Sequence, residues 1–331
     1  MASLQEVARR AKVSIATVSR VLNKSDKVVP ETRAIVEAAL RDLGYRPSRV
    51  ARRLRMKDGH AHLVGLIIPD IQNPFYAEIA RGVEDAAYDN EYALLLCNSD
   101  ENLEKERFYL DVMRAESVDG LVLPPFNETD EAVIEMVKSE IPVVCVDRSL
   151  SKVKTDLVEV NNYQGALEAV THLLDKGHKH IGLIEGRTQV STSRERRRGY
   201  VDALATRGIS LRKELTRAGD FKLESGRVLA NELLDLRTPP TALFVVNSLM
   251  TLGALGAIHQ RKLRVPQDVA LVGFDDLPWA EALDPPLTVV RQPAYEVGKQ
   301  AMELLLRRIM EPERSTVTMR LLPELVIRRS T

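Results

Sequence analysis

Two stretches of this chain copy one another. Val64-Gly65-Leu66-Ile67, a loop, then Arg81-Gly82-Val83-Glu84-Asp85-Ala86 is echoed by Ile181-Gly182-Leu183-Ile184, a loop, then Arg198-Gly199-Tyr200-Val201-Asp202-Ala203. In each copy an apolar run feeds an amphipathic one, so a strand-then-helix unit recurs, and two similar α/β lobes with a crevice between them are implied. Apolar runs at 63–68, 93–97, 120–123, 143–146, 180–184, 242–246 and 269–274 alternate with helical segments from about residue 62 onward. That is the pattern of parallel sheets covered on both faces.

The amino-terminal segment reads differently. Ser3-Leu4-Gln5-Glu6 is a capping-box pattern, and Leu4, Val7, Ala8 and Ala11 make one apolar stripe at helical spacing. After a break at Lys12-Val13, Ser14 suits the N-cap of a second helix that buries Val18, Val21 and Leu22 and turns Ile15, Ala16, Thr17, Ser19 and Arg20 outward. A third helix starts at Pro30-Glu31, carries Val36, Ala39, Leu40 and Leu43 on its core face, and is stopped by Gly44 and Pro47. Two short helices joined by a tight turn, with Arg, hydroxyl and small apolar groups exposed, suit a helix-turn-helix that reads a major groove; an ordinary helical hairpin is the rival. Charge bears on the choice. Residues 1–58 hold 14 Lys and Arg against 6 Asp and Glu, and the remaining chain reverses this with 33 against 41, so the formal net charge of +0 hides a basic head on an acidic body.

Other classes are constrained by what the residues leave out. No run approaches the roughly 20 apolar residues that span a bilayer, and Leu4 to Ala11 is amphipathic and charged, unlike a secretory signal, so a cytoplasmic protein is expected. The two cysteines, Cys97 and Cys145, sit in apolar strand-like runs and read as buried reduced thiols. The six His residues form no zinc spacing, and no cofactor is expected. No GxGxxG opening a helix, GxxxxGK[ST] or GxSxG is present, which argues against a nucleotide-dependent or nucleophile-elbow enzyme.

Val7-Ala8-Arg9-Arg10-Ala11-Lys12-Val13-Ser14-Ile15-Ala16-Thr17-Val18-Ser19-Arg20-Val21-Leu22-Asn23, Glu31-Thr32-Arg33 and Leu43-Gly44-Tyr45-Arg46-Pro47 closely resemble the head of the lactose/galactose repressor (LacI/GalR) family. The resemblance continues through Val64 to Asp70, Asn73-Pro74-Phe75, Val118-Asp119-Gly120-Leu121 and Val272-Gly273-Phe274-Asp275, and so spans essentially the whole chain. It implies an α/β protein with a small all-α helix-turn-helix head at 1–47, a hinge helix at 48–57, and a two-lobed, periplasmic-binding-protein-like body at 58–331. The first lobe is expected at about 62–160 plus 292–321 and the second at about 161–291 plus 322–331. The hinge is too short to be helical by itself. By resemblance, two hinges pair in a homodimer and enter the minor groove, with Leu54 as the wedge between base pairs and Val50 and Ala51 at the helix contact. Ser14, Ile15, Ala16, Thr17, Ser19, Arg20 and Asn23 are then the remaining DNA-binding candidates, on a near-palindromic operator. A transport-type binding protein is the rival for the body, but it predicts neither the basic head nor the lack of a leader. No heptad tail follows to build more than a dimer.

In open parallel sheets, ligands bind beyond the carboxyl ends of strands. Those ends offer Asn73, Phe75 and Tyr76; Asp147 and Arg148; Arg196, placed in the loop after Ile184; Phe221; Asn247; Asp275; and Gln292. Paired donors and acceptors beside aromatic faces suit a sugar. The set resembles that of ribose-type periplasmic binding proteins, which implies a pentose as effector. A different monosaccharide, or a sugar acid held by Arg148 and Arg196, is the alternative. Ser248 stands where that family usually has Asp, and Leu123-Pro124 where a polar contact is expected.

Overall fold

A computed structural model describes residues 2–22, 27–45, 61–139 and 141–331, divided into two units, Met1–Ala61 and His62–Thr331. In the first unit, α1 (Leu4–Ala11) is opened by the capping box: the Glu6 amide donates to Ser3 Oγ at 3.2 Å and the Ser3 amide to Glu6 Oε2 at 2.7 Å. Lys12, at φ 52°, ends it. Ser14 Oγ accepts from the Thr17 amide at 3.1 Å and so caps α2 (Ile15–Leu22). With α3 (Pro30–Asp42) these helices enclose one small core centred on Val7, Val18, Val21 and Val36, while Leu22, Leu40 and Leu43 are only partly buried against it. Asn23 and the expected hinge at 48–57, with Val50, Ala51 and Leu54, lie outside the described residues.

The second unit opens with β1 (Leu63–Ile68), α4 (Pro74–Asp89), β2 (Ala93–Asn98), α5 (Leu103–Glu116), β3 (Gly120–Leu123), α6 (Glu131–Lys138), β4 (Val143–Val146) and β5 (Asp156–Val160). It continues as α7 (Asn162–Asp175), β6 (Ile181–Glu185), α8 (Ser191–Thr206), β7 (Thr216–Ala218), α9 (Leu223–Leu234), β8 (Ala242–Val245), α10 (Ser248–Gln260), β9 (Ala270–Phe274) and β10 (Thr288–Arg291). Last come α11 (Ala294–Met310), β11 (Thr318–Leu321) and β12 (Glu324–Val326). One six-stranded sheet runs β11-β5-β4-β3-β1-β2 and the other β12-β10-β9-β8-β6-β7. Among the described residues, only the β10–β12 pair is antiparallel. Burial on both faces is why β1, β3 and β4 read as unbroken apolar runs.

The chain passes between the sheets three times, after β5, after β10 and between β11 and β12. Helix α11 packs in the core of the first sheet, where Val297, Ala301 and Leu305 meet Val64, Ile79 and Val144.

The copied Arg-Gly motif has a packing cause. A Cβ on Gly82 would stand 2.1 Å from the Tyr295 carbonyl oxygen of α11, and one on Gly199 would stand 2.5 Å from the Tyr163 carbonyl oxygen of α7. In both lobes a helix pair meets backbone to backbone, which only glycine permits.

At the far end of the chain, Ser330 is fully buried: its hydroxyl accepts from the Thr288 amide at 2.8 Å and donates to the Leu271 carbonyl at 2.6 Å. Ser330→Ala is expected to cost about 1–3 kcal/mol, because both partners lose their bond inside the protein. Chemical denaturation checks this, and a change within about 0.5 kcal/mol would show the contact to be dispensable.

Cys145 in β4 is buried, and burial pushes its thiol up to about 12; Cys97 is only half-buried, because β2 is a sheet edge. No helix among the described residues is long and apolar enough to cross a membrane.

Candidate effector cleft and DNA-reading helices

Residues that follow β1, β2 and β4 in one lobe meet residues around α8 and the segment after β7 in the other, and together they line one cavity with about 30 Å³ of free space. Seven of the ten expected effector residues line it: Asn73, Phe75, Tyr76, Asp147, Arg148, Arg196 and Phe221. Asp275 and Gln292 line an adjoining crevice that shares Phe75. Asn247 is buried behind them, its Nδ2 donating to the Phe221 carbonyl at 2.9 Å and its Oδ1 accepting from the Met250 amide at 3.0 Å to cap α10. Asp275 accepts from Gln292 Nε2 at 2.5 Å. Arg196 lies on α8 rather than in the loop that the sequence suggested.

The polar groups are fixed by one another. Tyr76 Oη donates to Asp147 Oδ2 at 3.0 Å, and its ring packs edge-on to Phe75 at 5.1 Å, both rings belonging to the first lobe's core as well as to the cleft wall. Arg148 donates through Nη1 and Nη2 to both oxygens of Glu101, at 3.2 and 2.6 Å, and its guanidinium lies 6.0 Å from the Phe221 ring across the cleft. Asp147 and Arg148 are both buried. Arg196 sits 3.8 Å over the Phe274 ring and donates to Asn162 Oδ1 at 2.8 Å and to the Val246 carbonyl at 2.5 Å.

Burial raises the carboxyls of Asp147 and Asp275 above their ordinary range. Burial pushes Glu101 the same way, but the charge and hydrogen bonds of Arg148 outweigh it and hold that carboxyl low. Tyr76 is lifted well above a free phenol by its burial.

The backbone carries a matching signature. Asp100, Glu101, Asp147, Phe221 and Asp275 all have φ between 53° and 72°. Left-handed backbone in residues other than glycine is costly and collects at sites where a side chain must be aimed. Sequence reasoning overlooked Asp70, Glu101, Thr192 and Lys222 in the cavity wall, and Asn162 behind Arg196. Asp70 and Glu101 follow β1 and β2, so the strand-end rule that found Asp147 would have found them. The lobes also touch directly: Lys222 Nζ lies 2.7 Å from Asp70 and 3.0 Å from Asp100, Arg194 pairs with Glu128 at 2.5 Å, and Ser248 Oγ reaches Asn73 Oδ1 at 3.4 Å.

In the first unit, Ile15, Ala16 and Arg20 form the exposed face of α2, Thr17 and Ser19 are half-buried beside it, and the exposed Ser14 is tied to Thr17, its Oγ 2.9 Å from Thr17 Oγ1. A short capped helix with a small apolar corner and an exposed guanidinium fits the major groove.

Comparisons with known proteins agree with this architecture. A family model described as bacterial regulatory proteins, lacI family, matches residues 3–48, and one described as a periplasmic binding protein-like domain matches residues 170–331. The chain is 37% identical, over 100% of its length and 98% of the relative, to the HTH-type transcriptional repressor PurR of Photobacterium profundum. It resembles the structure of the lac repressor dimer bound to operator and the anti-inducer ONPF, with a TM-score of 0.87, 28% identity and coverage of 99% and 98%. A LacI family transcriptional regulator from Enterococcus faecium, with bound ribose, matches with a TM-score of 0.74 and 29% identity over 81% of this chain and 98% of that one. The chain belongs to the lacI family of bacterial regulatory proteins. It is a DNA-binding transcriptional repressor and not an enzyme.

Proposed function

We propose that this repressor works in the cytoplasm as a homodimer on a near-palindromic operator, and that a small sugar in the interlobe cleft, a pentose such as ribose, sets its grip. The observation that carries the sugar assignment is the mixed polar lining. Among the described residues, buried Arg148 Nε, 3.6 Å from Asp147 Oδ2, and buried Gln292 Oε1 have no hydrogen-bond partner, one a donor and one an acceptor. Arg148 stands beside Phe75, Tyr76 and Phe221, and Gln292 shares the adjoining crevice with Phe75. A hydroxyl both donates and accepts, so a polyol satisfies such a set while its C–H faces lie on the rings. The ribose-bound relative supports the same choice. A hexose or another small metabolite is the alternative, and effector binding acts on DNA only through its differential affinity for two arrangements of the body.

In the head, we assign base-edge contacts to Ile15, Ala16, Thr17 and Arg20 and phosphate contacts to Ser14 and Ser19, with Asn23, Val50, Ala51 and Leu54 completing the DNA surface. A thermal-shift screen against monosaccharides, followed by operator binding with each hit, tests the effector assignment. Stabilisation by nucleobases or amino acids alone would overturn it. Arg20→Ala is expected to weaken operator binding by about 1–3 kcal/mol with a smaller loss on random duplex. Equal losses on both, measured by fluorescence anisotropy, would reassign Arg20 to the phosphate backbone.

A further inference from the structure

The charges of the cleft cancel. Its wall contains three carboxylates, Asp70, Glu101 and Asp147, and three cations, Arg148, Arg196 and Lys222. Each cation is already engaged inside the protein. Lys222 bridges Asp70 and Asp100. Arg196 uses Nε and Nη1 on Asn162 and the Val246 carbonyl and lays its face on Phe274. Arg148 gives both terminal nitrogens to Glu101, and each of these two side chains is only 4% exposed. Arg187 turns to the same residue, donating to the Glu101 carbonyl at 3.3 Å, with its Nη1 3.9 Å from the carboxylate. Without the Glu101 carboxylate, the Arg148 guanidinium in the cavity wall would lose its bidentate partner, with Arg187 beside the same position, and such a guanidinium is how proteins hold a carboxylate or a phosphate.

We propose that Glu101 fixes the charge selectivity of the cleft: by engaging Arg148 and Arg187 it admits uncharged polyols and rejects sugar acids and sugar phosphates. The inference rests on the sugar reading of the cleft. An anion that enters must either lie beside the Glu101 carboxylate or displace it from Arg148, and the second route leaves a buried carboxylate without its partner. A neutral sugar meets neither penalty. The left-handed backbone of Asp100 and Glu101, at φ 56° and 53°, aims this carboxylate at a conformational cost.

The test is isothermal titration on the full-length protein and on Glu101→Gln, which keeps the shape and removes the charge. The probes are matched pairs: D-ribose and D-ribose 5-phosphate, D-xylose and D-glucuronate, L-arabinose and D-galacturonate, and uridine and uridine 5′-monophosphate. For the pair that binds, the unaltered protein is expected to prefer the neutral member by at least about 100-fold, and Glu101→Gln to narrow that preference by at least about tenfold. Charged and neutral members bound within tenfold of each other by the unaltered protein would overturn the inference. So would an unchanged preference in a folded Glu101→Gln variant. If that variant does not fold, the preference of the unaltered protein still decides. Binding confined to the charged sugars overturns the charge rule but leaves the sugar reading intact. Binding confined to uridine, with the monophosphate rejected, overturns the sugar reading while supporting the charge rule.

Discussion

Asp156→Ala is expected to destabilise the body by about 3–5 kcal/mol, the cost of leaving buried charge without its partner. Asp156 opens β5 with its side chain fully buried; Oδ2 accepts from Arg308 at 3.0 Å and Arg314 at 2.7 Å, and Oδ1 accepts from the Val317 amide at 2.8 Å. Both arginines are themselves nearly buried, and they also donate to the carbonyls of Pro312, Ser315 and Leu304. One carboxylate thus pins the connection from α11 to β11 against the sheet. Removing it strands two guanidinium groups and an amide at once, whereas removing an exposed pair such as Arg10–Asp42 should change little. Urea unfolding followed by circular dichroism measures the loss, and a value below about 1 kcal/mol would mean that water reaches the arginines and replaces the carboxylate.

Arg196→Met is expected to lower effector affinity by about 2–5 kcal/mol, thirtyfold or more. The side chain keeps its apolar stem against Phe274, so the fold has a replacement for the packing but none for the charge. The buried carboxyls of Asp147 and Asp275 both feel the Arg196 charge, and its loss would leave them still further from the ionised form in which they accept hydroxyl donors. Titration with the sugar selected by thermal shift reads the affinity, and a melting curve shows that the variant is folded. An affinity within threefold of the unaltered protein would make Arg196 a structural residue and would remove the central cation from the proposed site.

How much of this was legible in the sequence follows from what each position depends on. The capping box of Ser3 and Glu6 is local chemistry, complete within four residues, and it stands in the structure as the sequence predicts. Strands β1, β3 and β4 are buried on both faces, so their apolar runs announce them. Strand β5 is buried as completely but carries Asp156 and Glu159, whose arginine partners Arg308, Arg314 and Arg320 lie about 150 residues further on, so nothing local reveals it. β11 and β12 are short, partly exposed pieces placed by the crossings between lobes. In the cleft, residues directly after apolar strands were recoverable from topology, as Asp147 was. Arg196 was mislocated because Arg194, Glu195, Arg197 and Arg198 surround it, and no apolar stripe announces the start of α8. Lys222 and Asn162 act through partners in the other lobe or at the crossing, information that only three dimensions supply.

The threefold passage of the chain between the sheets also governs how the protein is made. The first sheet gains its edge strand β11 and its covering helix α11 only from residues 294–321. A nascent chain emerging from the ribosome therefore carries β1 to β5 with one apolar flank open until residues 294–321 have been translated. The helical head, whose contacts are all short in sequence, is free to fold long before. Birth order and assembly order thus part company in this molecule: the segment that touches DNA is finished early, while the half of the body nearest to it in sequence stays open until residues 294–321 arrive.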